Sequence, residues 1–158
     1  MVNIVARCII ETPLGPMVAE AVDEGISRCE FFEGVMEESG GDSPYFSTLR
    51  SELTEYFTGK RKEFTVALAP SGTIFQKEVW TVLLSIPYGV MWSYRDQARA
   101  LGNSKAVRAV ASANGRNPVA ILIPCHRVIG ADGSLTGYSG GLWRKKQLLA
   151  IEAQMQSE

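Results

Sequence analysis

The chain has 158 residues, 46% of them hydrophobic and 21% charged, with a formal net charge of −1. Such a composition fits one large or two small globular domains and excludes collagen-like, coiled-coil and disordered classes. No run of 18 apolar residues offers a membrane-spanning helix, and Met1-Val2-Asn3-Ile4-Val5 lacks the basic and long apolar regions of a secretory signal, so a cytosolic location is expected.

In chain order, Arg7 to Pro16 reads as a strand entering a Pro/Gly turn, and Met17 to Val22 as its return. Asp23-Glu24-Gly25 signals a hairpin into a third strand over Ile26 to Phe32. A polar, Gly-containing loop follows over Glu37 to Ser43. Phe46, Leu49, Leu53, Tyr56 and Phe57 recur at helical spacing up to Gly59, and Phe64 to Leu68 suggests a short strand. Ala69-Pro70-Ser71-Gly72 is the best linker candidate, and the charge changes sign there. Residues 1–73 carry six Lys/Arg against twelve Asp/Glu, and residues 74–158 carry ten against five. The basic second half suits a polyanion partner, although uneven surface charge alone would also produce it. Domains are therefore expected at residues 1–72 and 73–158.

The second half reads as mostly helical. Phe75, Val79, Val82, Leu83 and Ile86 form one face of a helix stopped by Pro87. Ser93 is placed to cap the next helix with Asp96 at its third position, and Gly102-Asn103 breaks it. Ser104 can cap a further helix to about Asn114, closed by Gly115, which gives a helix-turn-helix pattern. Its inward stripe is Val107, Val110, Ala111 and Asn114; its outward stripe is Lys105, Arg108, Ala109 and Ser112. An outward face this bare suits close, shape-based approach to a narrow groove with Arg108 projecting. It suits a base-reading major-groove helix poorly. A plain surface helix of alanines would look the same.

Three cysteines, Cys8, Cys29 and Cys125, are too few and scattered for a disulfide framework. With no CxxC pair and one histidine, no metal and no cofactor is expected. Cys8 and Cys29 sit in apolar strand patterns and read as packing residues. Cys125 differs: an apolar segment, Ala120 to Ile123, expected as a buried strand, runs into Pro124-Cys125-His126-Arg127-Val128. A thiolate is the nucleophilic form of cysteine, and a neighbouring His or Arg favours it. Adjacent residues on a strand face opposite ways, so His126 would reach the sulfur through a water. Leu148 and Leu149 mark the apolar stripe of the C-terminal helix, and Glu152 falls on that stripe. A carboxylate there needs a partner, and His126 is the only imidazole available. A Glu–His–water–Cys relay would hold Cys125 near its thiolate form. The same residues also fit a buried cysteine beside a surface His-Arg pair.

Pro124-Cys125-His126-Arg127-Val128, preceded by Arg116-Asn117-Pro118-Val119 and followed by Gly137-Tyr138-Ser139-Gly140-Gly141, closely resembles the alkylguanine-DNA alkyltransferases, the methylated-DNA–protein-cysteine methyltransferases. The likeness is strong over residues 74–153. It implies a ribonuclease-H-like α/β N-terminal domain and a mostly α C-terminal domain with a winged helix-turn-helix. It also implies irreversible transfer of an alkyl group from 6-O-alkylguanine in duplex DNA to Cys125 by a monomer, with 4-O-methylthymine as a further candidate substrate. By this resemblance His126 and Glu152 form the relay and Asn117 orders the turns of the site. Arg108 enters the base stack, with Lys105, Ala106, Ala109 and Ser112 beside it on the DNA. Tyr94 crowds the target phosphate and donates to the guanine. The carbonyls of Cys125 and Val128 meet the guanine amino group, Ser139 lies at the oxygen being dealkylated, and Tyr138 lines the alkyl pocket. Three other classes are weighed against it. A non-transferring sensor of alkylated DNA would carry Trp in place of Cys125. A transcriptional regulator would need base-reading side chains, and a thiol peroxidase would need a nearby resolving cysteine.

Overall fold

A computed structural model describes residues 6–156. The chain divides into two compact units, Met1–Ser71 and Gly72–Glu158.

The first unit is a three-stranded antiparallel meander, β1 (Ala6–Ile10), β2 (Met17–Val22) and β3 (Gly25–Phe31), with helix α1 (Pro44–Phe57) packed on β2. Cys8 pairs with Ala19 across one ladder, and Ala19 with Cys29 across the next, which puts both cysteines in the buried centre of the sheet. Pro44 opens α1 at its first turn, where its missing N–H costs nothing, and the Ser43 hydroxyl caps Tyr45. The expected apolar stripe is buried at Phe46, Leu49, Leu53 and Tyr56, while Phe57 is half-buried. Glu52 also lies on that buried face. Its carboxylate accepts the backbone N–H of Thr65 (2.9 Å) and of Val66 (3.1 Å), the Thr65 hydroxyl (2.6 Å) and an Arg61 ion pair (3.1 Å). This capture explains why Phe64 to Leu68 is not the expected strand. Its Thr65 and Val66 N–H groups are spent on Glu52, and among the described residues only Leu68 bridges to the sheet, in parallel with Ile26.

The second unit begins with α2 (Ile74–Leu83), closed at its N-terminus by a Thr73–Gln76 capping box. The helix stops at Leu83, before Pro87, and Ile86 is buried in the turn beyond it. Val79 and Leu83 are buried as expected, whereas Phe75 and Val82 are half-buried. Trp80 takes the remaining inward position, its indole N–H donating to the Ala113 carbonyl at 2.8 Å.

After a two-residue strand β4 (Trp92–Ser93), α3 (Tyr94–Leu101) starts with the expected Ser93–Asp96 capping box and ends at Gly102, whose φ of +88° lies in the left-handed region that glycine adopts without a Cβ clash. Helix α4 (Val107–Gly115) begins later than expected. The Asn103 carbonyl takes the Ala106 N–H in a tight turn, so Ser104 does not cap the helix, Lys105 precedes it, and Ala106 is the N-cap without a side-chain bond. Val110, Ala113 and Asn114 form its buried stripe, with Val107 and Ala111 half-buried. Gln97 and Asn114 exchange two amide hydrogen bonds, 2.8 and 2.7 Å, which lock α3 to α4 inside the core. A second short strand, β5 (Val128–Ile129), pairs in parallel with β4, and α5 (Leu142–Gln156) closes the unit. Among the described residues, no helix is long and apolar enough to cross a membrane.

Candidate active site

The cysteine is delivered by turns, not by the expected strand. The Ala120 carbonyl takes the Leu122 N–H at 2.8 Å around Ile121, whose φ of +72° is rare for a β-branched residue. A conformation of this kind costs about 1–3 kcal/mol and persists only where its surroundings dictate it; here Val119 through Ile123 are all buried. Pro124 (φ −83°, ψ 63°) then makes an inverse γ-turn, with the Cys125 N–H on the Ile123 carbonyl at 2.8 Å. Cys125–Arg127 forms one 3-10 turn, so Cys125 and His126 do not alternate faces as strand residues would.

Asn117 holds these turns together. Its Oδ1 accepts the Val119 N–H (3.0 Å), and its Nδ2 donates to the Ile123 carbonyl (2.8 Å) and to Cys125 Sγ (3.3 Å). Because α4 ends at Gly115, Asn117 is fixed by the same turn that terminates the helix, with its N–H on the Asn114 carbonyl at 3.2 Å.

Behind the thiol, His126 Nε2 lies 2.6 Å from Glu152 Oε2, both side chains fully buried. The pair is the one expected from the apolar stripe that carries Glu152 and from the single imidazole of the chain. Neither signal points to Arg127, which is buried as well. Its guanidinium grips the same carboxylate through Nε (2.8 Å) and Nη2 (3.1 Å), donates from Nη1 to the Ile86 carbonyl (2.7 Å), and lies over the Tyr88 ring. The Gly89 N–H adds a further donor to Glu152 at 3.2 Å. Burial alone would raise the Glu152 pKa, but the His126 bond and, once acid protonates the imidazole, its charge, followed by the Arg127 bonds and charge, hold it at about 2. Burial pushes His126 below its ordinary value against the pull of Glu152. The imidazole is therefore neutral and donates its Nε2–H to the carboxylate as a hydrogen bond. Nδ1 is left as a lone-pair nitrogen, buried and without a hydrogen-bond partner among the described residues.

Cys125 is 8% exposed. Burial raises its pKa, and the Asn117 bond and the charge of Lys145 only partly offset this. Desolvation thus opposes the thiolate that the relay is expected to favour.

Tyr94, the first residue of α3, is half-buried and follows β4, whose Trp92 pairs with Val128. Its hydroxyl sits 3.3 Å from both the carbonyl and the hydroxyl of Thr136. Tyr138, half-buried, and Ser139, exposed, follow in the same loop. Val128 is fully buried. Hydrogen bonds thus join Asn117 to Cys125 and His126 to Glu152, with Cys125 and His126 adjacent in one 3-10 turn, and Tyr94 is tied to the 136–141 loop. Arg108, Ala109 and Ser112 lie exposed on α4, with Lys105 exposed and Ala106 half-buried just before it. The residues that sequence reading missed are Arg127, Thr136 and Lys145. Lys145 shares a helical stripe with Leu148 and Glu152, so the periodicity that found Glu152 could have found it too.

Comparison with known proteins agrees with this geometry. Residues 6–70 match the 6-O-methylguanine DNA methyltransferase ribonuclease-like domain, and residues 74–154 match the DNA binding domain of the same methyltransferase. The methylated-DNA–protein-cysteine methyltransferase of Methanosarcina acetivorans is 46% identical over 149 residues, covering 91% of this chain and 96% of its own. The chain belongs to the methylated-DNA–protein-cysteine methyltransferase family. Its members are DNA-repair proteins that move an alkyl group onto one of their own cysteines. The methyltransferase of Mycobacterium bovis is 44% identical over 90% of this chain and 89% of its own. The crystal structure of Mycobacterium tuberculosis OGT in complex with DNA superposes with a TM-score of 0.85 at 42% identity, over 93% of this chain and 92% of that one. The family's two parts account for the two compact units: a ribonuclease-like unit with a small sheet, and a helical DNA-binding unit.

Proposed function

We propose that this protein, a cytosolic monomer with domains at residues 1–72 and 73–158, removes the alkyl group from 6-O-alkylguanine in duplex DNA by moving it to Cys125. The observation that carries the reading is the Asn117–Cys125 and His126–Glu152–Arg127 cluster, a buried thiol beside a neutral imidazole whose Nδ1 is open to a proton.

The chemistry follows from that arrangement. A base within a duplex cannot present its alkyl carbon to a buried sulfur, so the nucleotide rotates out, at a cost of a few kcal/mol. Arg108, exposed on the small-residue face of α4, fills the stack and offsets part of that cost, with Lys105, Ala106, Ala109 and Ser112 against the backbone. The guanine amino group meets the carbonyls of Cys125 and Val128. Ser139 lies at the oxygen and Tyr138 along the alkyl group. The thiol proton passes through a water to His126 Nδ1, and Glu152, held ionised by Arg127, stabilises the imidazolium that forms. Sulfur attacks the alkyl carbon as the carbon–oxygen bond breaks. The electron pair stays with guanine, which accepts a hydrogen bond from Tyr94 and takes one proton from solvent, while the imidazolium returns the thiol's proton to solvent. A thioether has no leaving group of comparable quality, so each chain acts once.

A methylated duplex tests the reading. Wild-type protein is expected to clear 6-O-methylguanine from the duplex in proportion to protein added, and Cys125→Ala to clear none. Normal clearance by Cys125→Ala would overturn it. Binding without clearance by the wild type would favour the non-transferring sensor.

A further inference from the structure

The buried residues of α3 and α4 are Ala98, Val110 and Ala113, together with two neutral amides, Gln97 and Asn114, that the reaction as derived does not use. Gln97 Nε2 donates to Asn114 Oδ1 at 2.8 Å, and Asn114 Nδ2 donates back to Gln97 Oε1 at 2.7 Å. Bonds of this kind add little net stability, because water satisfies both amides in the unfolded chain. Removing one partner is costly, because the other is then stranded. Removing both in favour of apolar side chains of the same shape is nearly neutral. Packing alone therefore gives no reason for a polar pair here. A reciprocal pair adds uniqueness. Both bonds form at one register of α4 on α3, and a slide or rotation of one helix against the other breaks both.

The groups that depend on this register lie at both ends of the pair. Tyr94 opens α3, one turn before Gln97. Arg108 is the second residue of α4, and Asn114 lies in its last turn. The Asn114 carbonyl takes the Asn117 N–H at 3.2 Å, and Asn117 in turn bonds the Ile123 carbonyl and Cys125 Sγ. Trp80 of α2 holds the neighbouring Ala113 carbonyl at 2.8 Å. A single bond there still allows α4 to turn about its own axis, and the paired amides supply the second constraint. The groups that meet one flipped nucleotide are thus shared between two helices. Tyr94 belongs to α3; Arg108 belongs to α4, which also leads through Asn117 to the thiol. Resting on the transfer reading above, we propose that Gln97 and Asn114 are positioning residues of the reaction. Their reciprocal amide bonds set the register of α4 on α3 and so keep Tyr94 in line with Cys125.

The test is single-turnover transfer from a duplex carrying 6-O-methylguanine at several duplex concentrations, with urea unfolding of the same proteins. Two double variants are compared with wild type. Gln97→Met with Asn114→Leu removes both bonds and keeps the volume. Gln97→Asn with Asn114→Gln exchanges the two amides and keeps the reciprocal pair. The apolar pair is expected to keep a urea midpoint close to that of wild type. Its limiting rate is expected to fall about 10- to 100-fold, the scale on which a small misplacement slows an aligned reaction. Its half-saturating duplex concentration is expected to stay within about threefold of wild type. The exchanged pair is expected to recover most of the lost rate. A merely structural role predicts instead that rate follows stability. If the apolar pair fails to fold, Asn114→Ala, which removes both bonds and leaves room for water at Gln97, is read in its place with the same expected loss of rate. A wild-type limiting rate in a folded variant without the bonds would overturn the proposal and leave the transfer reading intact. So would a folded exchanged pair no faster than the apolar one. A wild-type protein that transfers nothing to Cys125 would overturn both.

Discussion

Each unit of this protein buries a carboxylate on a helix and gives it an arginine. Glu52 accepts two backbone N–H groups, a hydroxyl and Arg61. Glu152 accepts Arg127, His126 and one backbone N–H. Burial would raise both pKa values, and hydrogen bonds lower both. The two differ in what the partners have left to give. Every partner of Glu52 is a donor with no proton chemistry at neutral pH, so that knot only holds Thr65 and Val66 against α1. His126 keeps a second nitrogen without a partner among the described residues, so the pull of Glu152 is passed on through the ring. The cysteines repeat the contrast. Cys29 is pushed up to about 12 by burial first and by the nearby Cys8 and Glu30. Cys125 is also raised by burial, but Asn117 and Lys145 oppose it. Burial of a polar group is common to both units; an unspent functional atom beside it belongs to the second.

The comparison can be broken most sharply at the carboxylates. Glu152→Gln is expected to slow transfer about 100-fold, the scale of losing assisted proton transfer. Glu52→Gln should leave the limiting rate within about twofold while lowering stability by about 1–3 kcal/mol, read from urea unfolding. Equal rates in the two variants would erase the distinction. Cations offer the next test. In the first unit Arg7, Arg28 and Arg61 are each ion-paired, whereas among the described residues exposed Arg108 is in no ion pair. Arg108→Ala is expected to slow repair of duplex DNA about tenfold or more, at the 1–3 kcal/mol scale of one such contact, and to leave reaction with free alkylguanine nearly unchanged. Equal losses on both substrates would remove the finger role.

Acid sharpens the same contrast through stability. Glu152 titrates near 4.5 in an unfolded chain and at about 2 in the fold. A lowered folded value means its contribution is complete above about pH 4.5 and is lost as pH falls toward 2. Urea midpoints measured between pH 6 and 3 should fall with acid, and Glu152→Gln should flatten part of that slope. An unchanged slope would mean the carboxylate is not held ionised as described. The smallest effect is expected at Cys29→Ala, about 1 kcal/mol from a lost packing group with no change in transfer rate.

Much of this was legible in the sequence. The hairpin strands, α1, the Ser93–Asp96 cap and the end of α3 at Gly102 follow from local rules of spacing, capping and backbone freedom, and local rules are what a single sequence displays. Glu152 was legible because a carboxylate on an apolar stripe demands a partner. Three things were not. The approach to Cys125 looked like a strand because Ala120 to Ile123 is apolar throughout. Its turns are fixed by Asn117 and by crowding around Ile121, which are tertiary causes. Phe64 to Leu68 looked like a strand because nothing local announces that Glu52 will take the Thr65 and Val66 N–H groups. The protonation of Cys125 depends on how deeply the thiol is buried, which no motif encodes.

The central claim is that Cys125 is the acceptor, and intact-protein mass tests it most directly. The protein is mixed with an excess of duplex bearing one 6-O-methylguanine and then digested to map the change. A gain of one methyl group, on the peptide containing Cys125 and stopping at one per chain, is the result expected. Tight binding to the lesion duplex with no gain in mass, or a methyl found on Cys8 or Cys29, would contradict it.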